Sequence, residues 1–347
     1  MAKVPVGLDI GTSGVHAVQV SSGRGQPTVT NFGGVALPQG AVREGEVTDI
    51  DAVAGAIRKL WVDAKISEKA VWLGVSNQRV VVRQIDLPYM EDAELRSALR
   101  FSVQEFIPIP VDDAELDYQR LDEFTTDDGA RQVRILLVAA HKEMVTAHVQ
   151  AAVRAGLRPV GVDLNSFAVI RALAPAGSVT EGSEVLVDIG AGVTNIVVHD
   201  RGIPRFVRIL VLGGGDITEA LATGLNLSYE DAEATKLATG IQDATVDPAA
   251  RIVTDRANQF VDEVRGSLDY YLAQTGATQI TRVVLSGGGS KLFGLADRVG
   301  AALRLPVALG RPLQSLPVKG SVYGPEQLAE VEPLLATAIG LAVGGAE

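Results

Sequence analysis

Cysteine is absent from the 347 residues of this chain, and histidine, methionine and tryptophan are scarce, with four, three and two residues. The lack of cysteine excludes disulfides, thiolate metal ligands and cysteine nucleophiles, and it is typical of proteins in a reducing compartment. The four histidines are scattered and show no metal-ligand spacing. Zinc-thiolate and thiol-disulfide chemistry are therefore excluded.

Positive charge is also in short supply, because 31 Lys and Arg face 42 Asp and Glu, for a formal net charge of −11. Without a basic block, nucleic acid is not expected as a partner. Met1–Lys3 runs straight into a strand pattern with no signal-peptide core, and the apolar stretch 333–346 is shorter than the ~20 residues of a spanning helix. We expect a soluble cytoplasmic protein with no direct membrane insertion.

Glycine and apolar residues are abundant, with 37 glycines and a hydrophobic fraction of 47%. Two segments share one pattern: GLDIGTSGVHAVQV (7–20) and LVDIGAGVTNIVVH (186–199). Each is an apolar strand, an Asp-Ile-Gly turn and a second apolar strand, and Asp9 aligns with Asp188. The repeat predicts an internal duplication, with two lobes that each present a hairpin tip to a shared cleft.

Other segments predict elements around these hairpins. AELDYQRL and RQVRILLVAAH predict a strand pair in a small α+β insertion, followed by a helix from about 142 to 155 that ends at Gly156. Two helices divided by Asn-Leu-Ser, with Ser228 as the N-cap, follow the second hairpin. A longer helix over about 255–274 precedes a strand, a triple glycine and a helix. The apolar C-terminal segment predicts a helix packed within a lobe.

The glycine-rich turns favour phosphate binding, because glycine exposes backbone N–H groups without an obstructing Cβ. Thr12, Ser13 and Thr194 add hydroxyl donors, and two facing carboxylates, Asp9 and Asp188, suit a hydrated Mg²⁺ ion. A single Asp-x-Gly turn is more often only a tight turn. The second copy, and a third glycine cluster at 287–289 between a strand and a helix, favour nucleotide binding.

In this order, LDIGTSG, LVDIGAGVTNI and VVLSGGGSKLFGL resemble the phosphate-1, phosphate-2 and adenosine motifs of the actin-like ATPases. FSVQEFIPIPVDDAELDYQ, VGVDLNSFAVIRAL and GGGDITEAL further resemble the PilM family of type IV pilus assembly proteins, related to the division protein FtsA. The resemblance implies an α/β, actin-like ATPase fold, in which two lobes with duplicated ribonuclease H-like cores enclose a nucleotide cleft and a small α+β subdomain of the FtsA 1C type is inserted.

The implied division of the chain is a lobe 1 core at 1–85, the insertion at 86–160, lobe 1 helices at 161–182 and 331–347, a lobe 2 core at 183–227 and 283–330, and a helical subdomain at 228–282.

The resemblance also implies ATP and Mg²⁺ as ligands, with Asp9 and Asp188 ordering the metal ion and water. The residues implied to bind nucleotide are Gly11, Thr12, Ser13, His16, Gly190, Gly192, Thr194, Asn195, Gly213, Gly214, Gly215, Glu233, Lys236, Gly287, Gly288, Gly289 and Lys291. From spacing alone, Glu233 and Lys236 could equally form a surface ion pair.

Two residues have competing interpretations. Asp163 precedes a helix, so we expect it to cap that helix, although a position facing the γ-phosphate would make it a catalytic residue that orients water. His16 stands where many relatives carry a lysine, which implies weaker phosphate neutralisation and slow or absent hydrolysis. His16 could also be an ordinary strand residue. ATP hydrolysis is thus left open.

The implied partner is the cytoplasmic N-terminal peptide of a PilN-like inner-membrane protein, bound in a nucleotide-dependent way beside the insertion. An extended peptide could add to a sheet edge there, at ELDYQRL or RQVRILLV. This would hold the protein at the inner face of the cell membrane through its partner. The alternatives are an FtsA-like division protein and a small-molecule kinase. Self-association, and the pilus, competence or secretion system served, are left open.

Overall fold

The computed structural model describes residues 4–21, 27–174, 182–243, 246–275, 279–314, 316–319 and 324–345. Its strands, in chain order, are β1 (Val6–Ile10), β2 (Gly14–Ser21), β3 (Thr28–Ala36), β4 (Val42–Arg43), β5 (Glu46–Val47), β6 (Ala70–Val75), β7 (Val81–Pro88), β8 (Ala114–Thr125), β9 (Arg131–His141), β10 (Arg158–Leu164), β11 (Ser183–Ile189), β12 (Thr194–Asp200), β13 (Ile203–Leu210), β14 (Ile280–Ser286) and β15 (Val307–Leu309). Its helices are α1 (Ile50–Asp63), α2 (Asp92–Ser102), α3 (Lys142–Arg154), α4 (Asn165–Leu173), α5 (Gly214–Leu225), α6 (Tyr229–Thr239), α7 (Pro248–Thr275), α8 (Leu295–Leu303), α9 (Pro325–Val331) and α10 (Ala336–Gly344).

Two five-stranded sheets share one topology. Their strand orders are β10-β6-β1-β2-β3 and β13-β12-β11-β14-β15. In each sheet the central strand, β1 or β11, pairs antiparallel with the next strand in the chain and parallel with β6 or β14. We call the part of the molecule built on the first sheet lobe 1 and the part built on the second lobe 2. The matching orders confirm the duplicated α/β fold.

The helices cover the sheets with apolar faces. In lobe 1, α1 starts where the Asp49 carboxylate accepts a hydrogen bond from the Ala52 N–H at 2.9 Å, which is a typical N-cap. In lobe 2, α5 and α7 pack over the sheet in one large buried cluster. Helix α7 begins at Pro248 rather than near residue 255, because proline is well suited to the first helical position.

The last helix, α10, is buried in lobe 1. A Cβ at Gly7 of β1 would lie 2.0 Å from the Ala338 carbonyl oxygen, and one at Gly340 would lie 1.8 Å from that of Ala168, so the backbones approach closely. Residues Ala336–Ala342 are all buried. By length and composition alone, Glu326–Gly344 could cross a membrane. The burial of α10 confirms the predicted packing within a lobe.

The insertion is a three-stranded antiparallel sheet in the order β7-β9-β8, with α2 packed on one face. The predicted strand pair and the helix after it are confirmed as β8, β9 and α3. The sheet of the insertion runs from Val81 to His141, whereas α3 contributes Ala151 and Ala152 to the lobe 1 core. The predicted domain boundaries, including 86 and 160, stay predictions.

A capping serine and a run of glycines determine where α6 and α8 begin. Ser228 caps α6 as predicted, since its hydroxyl accepts from the Asp231 N–H at 3.1 Å. The last two of the three glycines open a 3₁₀ turn over Gly288–Lys291, and α8 starts only at Leu295. The helix predicted directly after the glycines therefore begins later than expected.

Candidate functional site

The two Asp-Ile-Gly turns have the same geometry. The Gly11 N–H donates to the Gly14 carbonyl and the Gly190 N–H to the Val193 carbonyl, both at 2.9 Å. Asp9 and Asp188 each stand one residue before the end of the central strand, β1 or β11, of their sheet. The duplication therefore presents one carboxylate and one closed turn from each lobe.

These turns line one cleft of about 440 Å³ between the lobes. The sequence-predicted residues that line it are Asp9, Gly11, Thr12, Ser13, His16, Asp188, Gly190, Asn195, Gly213, Gly214, Gly215, Glu233, Lys236, Gly287, Gly288 and Gly289. Most of the predicted site, drawn from widely separated parts of the chain, is thus brought together around a single cavity.

Four predicted residues do not line this cleft. Thr194 is buried and its hydroxyl donates to the Leu212 carbonyl at 2.7 Å. Gly192 lies against the other lobe, where a Cβ would stand 3.0 Å from the Thr12 hydroxyl oxygen. Lys291 is exposed. Asp163 is the fourth.

Asp163 belongs to β10 and does not cap α4. The strand continues to Leu164, α4 starts at Asn165, and no side chain caps it. The Asp163 carboxylate accepts from the Leu164 N–H at 2.7 Å and pairs with Arg171 of α4. The predicted capping is therefore wrong, and the ion pair ties the helix to its strand. A catalytic role for Asp163 stays an untested prediction.

The two cleft carboxylates are electrostatically strained. Burial, together with the charge of Asp188, raises the pKa of Asp9 to about 7. Burial also raises the pKa of Asp188, against the opposing effect of hydrogen bonds from Ser286 and Thr337. Ser286 donates to Asp188 at 2.7 Å and Thr337 at 3.5 Å. Two buried like charges of this kind are stabilised by a cation between them.

Asn165 adds a polar group beside Asp9. Its amide nitrogen donates to the Asp9 carboxylate at 3.4 Å, while its Oδ1 atom is buried and has no hydrogen-bond partner among the described residues. An oxygen of this kind suits a metal-bound water or a metal ion. Among the described residues there is no group of three or more His, Cys, Asp or Glu that could hold a metal. The donor set fits Mg²⁺, which takes few protein ligands and keeps its waters.

His16 carries no charge at neutral pH in this environment. Its ring nitrogen Nδ1 lies 3.9 Å from the Asp9 carboxylate, and burial lowers the pKa of His16 to about 4. A neutral imidazole cannot neutralise phosphate as a lysine does. The residue therefore lines the cleft without contributing positive charge.

The glycines at the start of α5 hold the second turn. The Gly214 N–H donates to the Gly190 carbonyl at 2.9 Å and the Gly215 N–H to the Ala191 carbonyl at 2.7 Å. A Cβ at Gly213 would lie 2.4 Å from the Gly190 oxygen. The glycines permit this close approach and leave a smooth backbone wall on the cleft.

Glu233 and Lys236 form an ion pair at the cleft wall, in which the Glu233 side chain is 39% exposed. Lys236 is buried, and its ammonium donates to Glu233 at 2.7 Å, to the Thr218 hydroxyl at 2.9 Å and to the Gly214 carbonyl at 3.0 Å. The pair therefore ties α6 to the start of α5 at the cleft wall.

Several polar residues that were not predicted from the sequence complete the site. Ser76 and Ser166 of lobe 1 both donate to Asn195 Oδ1, at 2.7 and 3.0 Å, and so join the lobes beneath the cleft. Asn165 and Thr337 lie at or near helix starts and Ser286 at a strand end. The nearest signals were Ser286 directly before the triple glycine and the Asn-Ser pair that opens α4.

Two lobes of duplicated topology, closed around facing Asp-bearing hairpins, define an actin-like ATPase fold. The family model of the type IV pilus assembly protein PilM matches residues 7–346. The chain belongs to this family.

Solved structures and curated relatives agree with this assignment. A PilM–PilN type IV pilus biogenesis complex aligns over 99% of this chain and 98% of that one, with a TM-score of 0.87 and 30% identity. MreB 5 of Spiroplasma citri bound to AMPPNP shares the fold, at a TM-score of 0.54 and 12% identity, over 99% and 96%. The cell division protein FtsA of Pseudomonas aeruginosa is 24% identical over 99% of this chain and 89% of its own length.

Proposed function

We propose that this chain is an ATP-binding protein of type IV pilus assembly, which takes Mg²⁺-ATP in the cleft and binds the N-terminal peptide of a PilN-like inner-membrane protein in a nucleotide-dependent way. Through that partner it is held at the cytoplasmic face of the inner membrane. Family membership and the likeness to the PilM–PilN complex support this assignment.

One observation carries the nucleotide assignment. Asp9 and Asp188 come from equivalent hairpins of opposite lobes, and burial raises the pKa of both. Such a pair is unfavourable without a cation. Mg²⁺ with its waters would be held by Asp9, Asp188 and Asn165, where it would neutralise phosphate charge. The turns at Thr12 and Ala191 flank the same cleft.

Isothermal titration with ATP, in the presence and absence of Mg²⁺, tests this assignment. We expect one site per chain, with affinity that depends on Mg²⁺. No heat of binding and no displacement of a fluorescent ATP analogue would contradict it.

The peptide assignment rests on the insertion. In the sheet order β7-β9-β8, β9 is paired on both sides, so RQVRILLV offers no edge. Of the two strands named from the sequence, only β8 leaves one side unpaired among the described residues. An extended peptide can add to such an edge through main-chain hydrogen bonds.

Hydrogen exchange with a synthetic peptide that matches the N-terminus of a PilN-like protein tests the edge. We expect slower exchange in β8 with the peptide bound, and tighter peptide binding with Mg²⁺-ATP present. Equal peptide affinity with and without nucleotide would contradict the coupling. Protection confined to other parts of the chain would contradict the use of β8.

A further inference from the structure

The β12–β13 hairpin of lobe 2 contacts lobe 1 at one end and the insertion at the other. At its cleft end, Asn195 accepts hydrogen bonds from Ser76 and Ser166, and all three residues are buried. Asn195 faces Ile209 across the hairpin. This end of the hairpin therefore links the two lobes beneath the cleft.

Toward the turn, the same hairpin contacts the insertion through Arg205. The Arg205 carbonyl accepts from the Gln84 amide of β7 at 2.7 Å. Its guanidinium lies 3.3 Å from the Asp122 carboxylate of β8 and 3.7 Å from that of Asp200 within its own hairpin. Asp200 thus holds the guanidinium on the side that meets the insertion.

An apolar cluster fills the space between these two polar contacts. It joins Ile209 of lobe 2 to Val82 and Val138 of the insertion and to Phe167 of α4, packed on the buried residues Val75, Val80, Ala140, Met144 and Leu164. The insertion is therefore in contact with both lobes, although its chain leaves and re-enters only lobe 1.

We infer that Arg205 is a positioning residue that couples the nucleotide cleft to the insertion: with the lobes closed it engages Asp122 and Gln84, and with the lobes apart it releases them. This inference rests on the proposed nucleotide site. Coupling between two sites is reciprocal, so a ligand that closes the cleft fixes the insertion, and a partner that fixes the insertion tightens nucleotide binding.

A double-mutant cycle with Asp122→Asn and Arg205→Met tests the inference. Because the ion pair is partly exposed, we expect the affinity for Mg²⁺-ATP to fall only about two- to fivefold in either single variant. Neither residue lines the cleft. The double variant should lose little more affinity than either single variant. Asp117→Asn is the matched control. Asp117 is exposed on the same strand, and its carboxylate bonds only the neighbouring Tyr118 N–H in the contacts described.

A distance measurement supplies a second readout. Since the chain has no cysteine, spin labels at Ser97→Cys on α2 and Asp269→Cys on α7 report the separation of the insertion from lobe 2. We expect Asp122→Asn to broaden the distance distribution and Mg²⁺-ATP to narrow it in the parent protein.

Three results are distinguishable. Loss of affinity in Asp122→Asn with a broadened distribution supports the coupling. Unchanged affinity and an unchanged distribution overturn it and leave the nucleotide site intact. If the parent protein binds no nucleotide, the proposed function fails, while an unaltered distribution in nucleotide-free Asp122→Asn still overturns the contact's role.

Discussion

Replacing Asp188 with asparagine separates metal binding from folding more cleanly than any other change in the cleft. Asparagine keeps the size of the side chain, and its amide oxygen can accept from Ser286 as Asp188 does at 2.7 Å. The change removes the charge that raises the pKa of Asp9. Folding is expected to be preserved, because a buried carboxylate with a raised pKa destabilises the folded state once it is ionised.

The expected loss is in nucleotide affinity. A hydrogen bond from a metal-bound water to a carboxylate is worth about 1.5–3 kcal/mol, so the dissociation constant for Mg²⁺-ATP should rise about tenfold to a hundredfold. The dependence of ATP affinity on Mg²⁺ should shrink with it. Titration calorimetry at several Mg²⁺ concentrations measures both effects, and thermal unfolding followed by circular dichroism monitors the fold.

Asp163→Asn is the matched control for this experiment. Asp163 is a carboxylate of lobe 1 that pairs with Arg171 and does not line the cleft. We expect lower stability with unchanged nucleotide affinity. If Asp188→Asn binds Mg²⁺-ATP as tightly as the parent protein, the assignment of the facing carboxylates is wrong. If Asp163→Asn loses affinity instead, the catalytic interpretation of Asp163 gains support.

Three further predictions concern stability and the cleft wall. Gly287→Ala should destabilise the protein by about 1–3 kcal/mol or more, because φ is +77° and a Cβ would lie 2.4 Å from the Ile189 oxygen. Gly266→Ala should stabilise α7 by up to about 1 kcal/mol, because a Cβ there would meet no described atom within 4 Å. Urea unfolding compares the two variants, and equal changes in stability would contradict the prediction. Lys236→Met should loosen α6 from α5 and weaken ATP binding with little change in Mg²⁺ dependence; an unaltered affinity in titration would show that the pair only supports the fold. Burial lowers the pKa of His148 from 6.5, so the unfolded chain takes up this proton first. The contribution of His148 to stability should therefore fall as pH drops below 6.5, by at most about 1.4 kcal/mol per unit. His148→Gln should flatten that dependence in urea unfolding between pH 7.5 and 5.5, and an unchanged slope would contradict it.

The features predicted most successfully from the sequence are those that occur twice in the duplicated fold. Asp9 and Asp188 sit in two copies of one pattern, and the second copy made a ligand site more plausible than a simple turn. Sequence patterns mislead where one residue type can serve two structural roles. Asp163 resembled an N-cap, but β10 continues one residue further and a salt bridge to Arg171 holds its carboxylate.

Hydrogen bonds between distant parts of the chain were not predicted, although Asn195 itself was expected at the site. Ser76, Ser166 and Asn195 meet only after both lobes fold, because their hydrogen bonds join positions about 30 and 120 residues apart. The contact of Arg205 with the insertion has the same origin. Pairings of this kind depend on how the sheets are set against each other, and neither periodicity nor turn chemistry encodes that arrangement.

The close contact of Gly7 with Ala338 has a consequence for biosynthesis. Helix α10 packs on β1 of the first sheet, although it leaves the ribosome long after that strand. Thr337 at the start of α10 also donates a hydrogen bond to Asp188. Until α10 emerges, a nascent chain exposes the apolar side of its earliest strands and lacks one of the hydrogen bonds to Asp188. The cleft of a newly made molecule is therefore complete only after α10 has emerged, and fragments stalled before that point should be clients of chaperones and proteases.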